Sequence, residues 1–156
     1  MRSRVAPAVS LPSEVTSRRM AAVRRKDTRP ELALRRAVHR RGMRYFVDRA
    51  PLANDRRRRA DLVFPRKQVA VFMDGCFWHG CPEHTRPPRT NEQWWAAKLR
   101  GNVARDRETD ARLSAAGWRG VRVWEHEPVD AAAARVERAV RGKKIDTHDP
   151  SQETVR

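Results

Sequence analysis

A chain of 156 residues carrying Lys+Arg 35 against Asp+Glu 19, for a formal net charge of +16, is one domain's worth of sequence suited to a polyanionic partner. Its 39 % hydrophobic content allows a small two-layer core, and no apolar stretch approaches the roughly 18 residues of a membrane span, so nucleic acid is favoured over a membrane surface. The N-terminus lacks an apolar leader segment, which points to a cytoplasmic protein, in the nucleoid if the cell is bacterial.

Residues 1–12 mix Pro, Ser and Arg without period and read as a disordered basic arm. Ser13 to Lys26 predicts a short helix, with Ser13 as N-cap and Met20 and Val23 as apolar members. Thr28-Arg29-Pro30-Glu31 is a capping-box start with proline in the first turn, and the helix it opens carries Leu34 and Val38 and stops near Gly42. Three strand-like runs follow: Arg44 to Val47, Ala60 to Phe64 after the basic turn Asn54–Arg59, and Gln68 to Met73. Their close spacing predicts antiparallel hairpins. Gly75 to Thr90 holds both cysteines and several prolines, and reads as a metal-clipped loop. Asn91 to Ala116 predicts a long helix ended by Gly117, Gly120 to Trp124 a strand, and Pro128 to Val140 an alanine-rich helix. Residues 142–156 read as a disordered tail. The order predicts a mixed α/β fold over 13–141, a central mixed β-sheet flanked by helices.

Cys76 and Cys81 are spaced C-x4-C, and a reducing cytosol favours metal binding over a disulfide. His84 extends the pattern to C-x4-C-x2-H, with Glu83 as an alternative third ligand. His126 supplies a fourth if the last strand pairs beside Val69–Met73, giving a structural Zn²⁺ site. The ordinary alternative is two buried thiols and two surface histidines.

A hydrolytic nuclease needs carboxylates to hold Mg²⁺, a base for water and positive charge for phosphate. Asp61 lies inside an apolar strand run, where its desolvation has a cost unless it binds something; the ordinary alternative is an ion pair with one of Arg56–Arg59. Asp74 ends the next strand, where its carboxylate can meet Asp61 across the sheet as a Mg²⁺ cradle. His79 sits between the cysteines and is either a zinc ligand or a base. With His84 and His126 available to zinc, it is free for proton transfer. Trp95, Lys98, Asn102 and Asp106 share one helix face, with Asp106 placed to orient His79. The alternative is a solvated charged face, with Leu99, Val103 and Leu113 as a separate core stripe. Glu31 reads equally as the capping-box acid or as an active-site acid.

The run Phe72-Met73-Asp74-Gly75-Cys76-Phe77-Trp78-His79, then Trp94-Trp95, Asn102-Val103-Ala104-Arg105-Asp106-Arg107, Gly117-Trp118 and Val123-Trp124-Glu125 resembles the very-short-patch-repair endonucleases across roughly Ser13 to Val140. The resemblance implies a restriction-endonuclease-like fold with a structural zinc, acting as a monomer on double-stranded DNA, with repair proteins as further partners. It implies Mg²⁺-dependent nicking of one strand 5′ to the thymine of a T·G mismatch left by 5-methylcytosine deamination. On that basis Asp61 looks like the Mg²⁺ ligand, helped by the Met73 backbone carbonyl, His79 the general base and Asp106 its supporting carboxylate. Glu31 falls where the family has an acid near the active site. Phe77, Trp78 and Trp95 resemble an aromatic wedge in the major groove, Met20 a residue inserted from the minor groove, and Lys98 and Asn102 are taken as DNA contacts on the same helix face. Better-known members carry histidine at the position of Asp74, so Asp74 is expected at Mg²⁺ either directly or through water. Two other readings compete: a non-catalytic zinc-stabilised DNA-binding module, and another restriction-fold nuclease that cuts both strands.

Overall fold

The computed structural model describes residues 26–86 and 88–142, together with Arg18. The expected basic arm, the body of the first helix with Met20, and the tail lie outside the described residues.

Helix α1 (Arg29–Arg40) begins where the sequence places it. Thr28 caps it in an extended conformation, its Oγ1 accepting the Glu31 N–H at 3.5 Å, and Pro30 occupies the first turn. The Glu31 carboxylate reaches back to the N–H of Asp27 at 2.8 Å, one residue beyond the usual capping-box target. Leu34, Ala37 and Val38 form its buried stripe, and Gly42 at φ +79° ends the turn that follows.

Four strands make one sheet in the order β1 (Phe46–Arg49), β2 (Ala60–Phe64), β3 (Val69–Asp74), β4 (Arg119–Trp124). The first two pairings are antiparallel, with Val47 opposite Leu62 and Leu62 opposite Val71. The expected β1 is displaced from Arg44–Val47 to Phe46–Arg49. Tyr45 is spent elsewhere, its hydroxyl donating to the Arg35 carbonyl at 2.8 Å and its ring meeting Phe64 edge-on. β3 and β4 are parallel in a continuous register from Val69–Arg119 to Asp74–Trp124. A parallel pair needs a long crossover, and helix α2 (Glu92–Ala115) supplies it, running through Gly101 without interruption. Helix α3 (Val129–Arg141) closes the described chain.

The sheet is covered on both faces. Leu34, Val38, Leu62, Phe64, Val69, Val71, Val123, Ala133 and Val136 join α1 and α3 to one side, and Val63, Ala70, Phe72, Leu113 and Trp118 join α2 to the other. Burial of these side chains contributes roughly 1.5–3 kcal/mol for each large one. No helix among the described residues is long and apolar enough to cross a membrane.

Candidate active site and metal centre

The parallel β3–β4 register determines where the chemistry collects. Both strands leave the sheet at the same edge, and the Glu125 N–H continues the ladder to the Asp74 carbonyl at 3.0 Å. The loop after Asp74 and the segment Glu125–His126 therefore emerge side by side, as expected for a His126 that joins the cysteines.

Cys76, Cys81, His84 and His126 bring one donor atom each to within 4.8 Å of one another. Cys76 Sγ lies 3.0 Å from His126 Nδ1, and Cys81 Sγ lies 3.6 Å from His84 Nδ1 and 3.8 Å from His126 Nδ1. A tetrahedral ion with S and N ligands at roughly 2.3 and 2.0–2.1 Å spaces those atoms about 3.5 Å apart, so the four can chelate a metal. Glu83, the alternative third ligand, stands outside the group, its carboxylate 3.7 Å from the other ring nitrogen of His126. Around the cluster, the loop ties itself to its own backbone. The Cys81 N–H and the Thr85 hydroxyl both donate to the Cys76 carbonyl, and the Cys76 N–H donates to Glu125 Oε1 at 2.8 Å. Burial pushes the Cys76 thiol up to about 11, with Cys81 beside it adding to the rise. At Cys81 burial also pulls upward, but hydrogen bonding with His84 and the backbone outweighs it and holds the thiol below its ordinary value.

His79 is absent from that group. Its Nδ1 faces Asp106 Oδ2 at 2.6 Å and Asp74 Oδ1 at 3.6 Å, and Asp74, His79 and Asp106 form a second cluster able to hold a metal. Burial opposes an imidazolium here, but the Asp106 hydrogen bond and the charges of Asp74 and Asp106 prevail and raise the His79 pKa. With Nδ1–H donated to a carboxylate, Nε2 is the nitrogen left to accept a proton.

Asp61 lies close enough to Asp74 to feel its charge. Beyond the last registered β2–β3 pair, its Oδ2 accepts the Met73 N–H at 2.6 Å, so the side chain takes over from the ladder. Burial pushes this carboxyl up to about 6, with the Met73 N–H pulling down and the charge of Glu31 pushing further up. Of the arginines that competed for it, Arg58 bonds Asp55, Glu108 and Thr109, Arg59 bonds Asp48, and Arg56 and Arg57 are exposed. Asp61 is not part of the Asp74–His79–Asp106 cluster. Glu31 is buried at 6 % exposure and carries its capping role together with a 3.3 Å pair to Arg35.

The aromatic residues gather into one group. Phe77 meets Trp78 at 5.0 Å and Trp95 at 5.2 Å, Trp78 meets Trp95 at 6.0 Å, and Trp94 adds an edge contact to Trp95 at 4.9 Å. Phe77 and Trp78 are half-buried and Trp95 is buried. Asn102 donates its side-chain N–H to the Trp78 carbonyl at 2.9 Å, and Lys98 is exposed. The Trp95, Asn102 and Asp106 positions of the α2 face thus dock onto the cysteine loop.

Sequence reading passed over Arg122. From the middle of β4 its Nη1 donates to both Asp74 oxygens at 2.9 and 3.0 Å, and its Nε donates to Asp110 at 3.1 and 3.0 Å. Its Nη2 donates to the Asp106 carbonyl at 3.3 Å and lies 3.4 Å from Asp106 Oδ1. The guanidinium rests over the Phe72 ring at 4.9 Å. The signal was present: a charge inside the apolar run Val121-Arg122-Val123 is the pattern that singled out Asp61.

A histidine with one nitrogen held by a carboxylate, beside a buried aspartate and a ring cluster, is the equipment of a hydrolase that activates water; with a chain charge of +16 the class it defines is a nuclease. The comparisons agree and narrow it. The family model described as DNA mismatch endonuclease Vsr matches residues 11–84. The type II nicking enzyme V.NaeI of Lentzea aerocolonigenes is 51 % identical over 121 residues, 77 % of this chain and 73 % of that protein. The type II nicking enzyme V.XorIIP of Xanthomonas oryzae pv. oryzae is 39 % identical, covering 73 % and 82 %. The DNA mismatch endonuclease Vsr of Escherichia coli is 34 % identical, covering 70 % and 68 %. The chain belongs to the Vsr family of mismatch endonucleases and nicking enzymes.

Proposed function

We propose that this protein nicks one strand of duplex DNA on the 5′ side of the thymine in a T·G mismatch arising from 5-methylcytosine deamination, using a restriction-endonuclease-like sheet and a structural zinc. The observation that carries the reading is the His79–Asp106 contact at 2.6 Å, held on a loop whose neighbouring residues are the ring cluster and the chelating cysteines. Two thiols and two imidazoles suit Zn²⁺ and leave no open position, as a structural site requires.

Mg²⁺ would be held by Asp61 with the Met73 carbonyl and would supply positive charge to the phosphate. A half-buried carboxylate with a raised proton affinity fits such a role, because a bound cation offsets the desolvation that otherwise disfavours its charge. In hydrolysis, a water oxygen bonds to phosphorus, its proton passes to His79 Nε2, and the bond from phosphorus to the leaving oxygen breaks. Asp106 keeps the proton on Nδ1 and stabilises the imidazolium that forms. Glu31 adds negative charge near Asp61.

Mismatched DNA is favoured because it unstacks at lower cost, a step normally worth a few kcal/mol. Phe77 and Trp78 offer ring faces that can replace the lost stacking at roughly 1–3 kcal/mol per base. Trp95, being buried, supports them from beneath; Met20 enters from the opposite groove, and Lys98 contacts the backbone.

The test is a nicking assay on duplexes labelled on each strand. With Mg²⁺, the expected product is a single cut 5′ to the mismatched thymine, and no cut in a T·A control. Cutting of both strands of the control identifies a different restriction-fold nuclease, and mismatch binding without Mg²⁺-dependent cutting identifies a binding module.

A further inference from the structure

We infer that Arg122 is the positioning residue of the His79 centre: one guanidinium, reaching across from β4, holds Asp74 and Asp106, the two acids that face the imidazole, and so fixes where His79 Nε2 points. The inference rests on the reading of His79 as the base.

Arginine has five N–H donors in a rigid fork. Here each nitrogen has its own residue: Nη1 donates to the Asp74 carboxylate, Nε to the Asp110 carboxylate, and Nη2 to the Asp106 backbone carbonyl while lying 3.4 Å from Asp106 Oδ1. Two of these three are the acids that face His79, Asp106 at 2.6 Å and Asp74 at 3.6 Å. The fork therefore ties the end of β3, the middle of β4 and two successive turns of α2 into one unit, and the imidazole is seated against that unit.

Charge makes the same point. Asp74 is 3 % exposed, and a buried carboxylate needs a partner. Without Arg122, three aspartates converge with only His79 to offset them, and like charges at this range repel. The carboxylates would then turn apart or take up protons, and either change moves Asp106 off Nδ1. Arg122 is also the cation that already holds both oxygens of Asp74. This gives Asp74 the task of seating His79 and leaves Mg²⁺ to Asp61.

Lysine cannot replace the fork, since it presents one point charge on a flexible stem. A misplacement of about 1 Å at a reacting group can cost on the order of 10²-fold in rate. The expected loss lies in kcat, because Arg122 acts through the aspartates that seat His79.

The experiment uses the full chain with Mg²⁺ and a T·G duplex, and measures single-turnover nicking rate and duplex Kd for Arg122→Met, Arg122→Lys, Asp106→Asn, His79→Ala and the pair Asp106→Asn/Arg122→Met. Arg122→Lys and Arg122→Met are expected to nick about 10–100-fold more slowly with duplex Kd changed less than about threefold. The pair is expected to be no slower than Asp106→Asn alone, since both act through the same imidazole. Wild-type nicking by a folded Arg122→Lys protein, or rate losses that multiply in the pair, overturns the inference. If Arg122→Met fails to fold, Arg122→Lys and the Asp106→Asn comparison with an added Arg122→Lys decide it in the same way. Full nicking by His79→Ala overturns the base assignment instead, whatever Arg122 does.

Discussion

Asp61 has a cost in the fold and, in the proposed reaction, a use in the chemistry, and the two can be separated. Its carboxyl takes a proton at about 6 in the folded chain, against an ordinary value of 3.8, with burial as the main cause. The folded state therefore holds the proton more tightly than the unfolded chain does. The sign follows: above pH 6 the folded protein carries a penalty of up to roughly 3 kcal/mol, at about 1.4 kcal/mol per tenfold in proton affinity. The penalty fades as pH falls from 6 towards 4. Asp61→Asn keeps an oxygen to accept the Met73 N–H and removes the charge. Without Mg²⁺, this variant is expected to melt at a higher temperature than wild type at pH 7.5, with the gap closing by pH 4.5, while nicking is lost. Melting curves at the two pH values check it; a variant less stable than wild type at pH 7.5 contradicts the burial argument. Raised stability with lost activity is the signature of a group retained for function.

At the scale of elements, the cysteine loop carries His79, Phe77 and Trp78 but has little core of its own. It buries Cys76 and Cys81 and leaves Pro82, Glu83 and His84 exposed. Gly80 stands at φ +68°, and a Cβ there would sit 3.2 Å from Val103, so the loop also lies close on α2. Chelation by Cys76, Cys81, His84 and His126 would fix such a segment, because metal binding free energy becomes folding free energy. Removing the metal with a strong chelator, or substituting Cys81→Ala, is expected to lower Tm and shift tryptophan emission while far-UV circular dichroism changes little. The sheet and its two covered faces stand without the loop, whereas Trp78, Trp94 and Trp95 depend on it. Unchanged emission on chelation counts against a structural metal.

The same contrast explains what the sequence disclosed. The helices from Arg29 onward and the β2–β3 hairpin were legible from capping residues, apolar runs and turn spacing, and the pairing of β4 beside β3, posed as the condition for His126, is met. Cys76, Cys81 and His84 were legible because thiols and an imidazole at short spacing have few uses, and His126 because it follows the strand expected to pair beside β3. The start of β1 was not, since Tyr45 looks like a strand residue until its hydroxyl finds Arg35. Nor was the packing of Phe77 with Trp78: alternation predicts opposite directions, but the segment is turned, with His79 N–H bonded to the Gly75 carbonyl, and both rings meet Trp95. Arg122 stayed hidden because its three acids come from two other elements, and only tertiary contact reveals them.

For the whole molecule, two kinds of recognition are superimposed and respond differently to salt. A net charge of +16 provides a general attraction for phosphate, to which exposed Arg56 and Arg57 on the turn before Asp61 contribute. Counterion release makes that attraction steep: roughly six phosphate contacts cost about 10³-fold in affinity between 50 and 200 mM salt. In the proposed function, discrimination of the mismatch comes instead from unstacking and ring contact, which release few ions. Kd for T·G and T·A duplexes is therefore expected to weaken in parallel across that range, with their ratio holding to within about threefold. Trp78→Ala is expected to shrink the ratio at every salt concentration without altering the slope, and Arg56→Ala/Arg57→Ala to flatten the slope by about one per lost phosphate contact while leaving the ratio alone. Fluorescence anisotropy titrations of the two duplexes measure both quantities. A ratio that collapses with salt in step with Kd would place mismatch recognition in the charged surface, and the ring cluster beside His79 would lose its role.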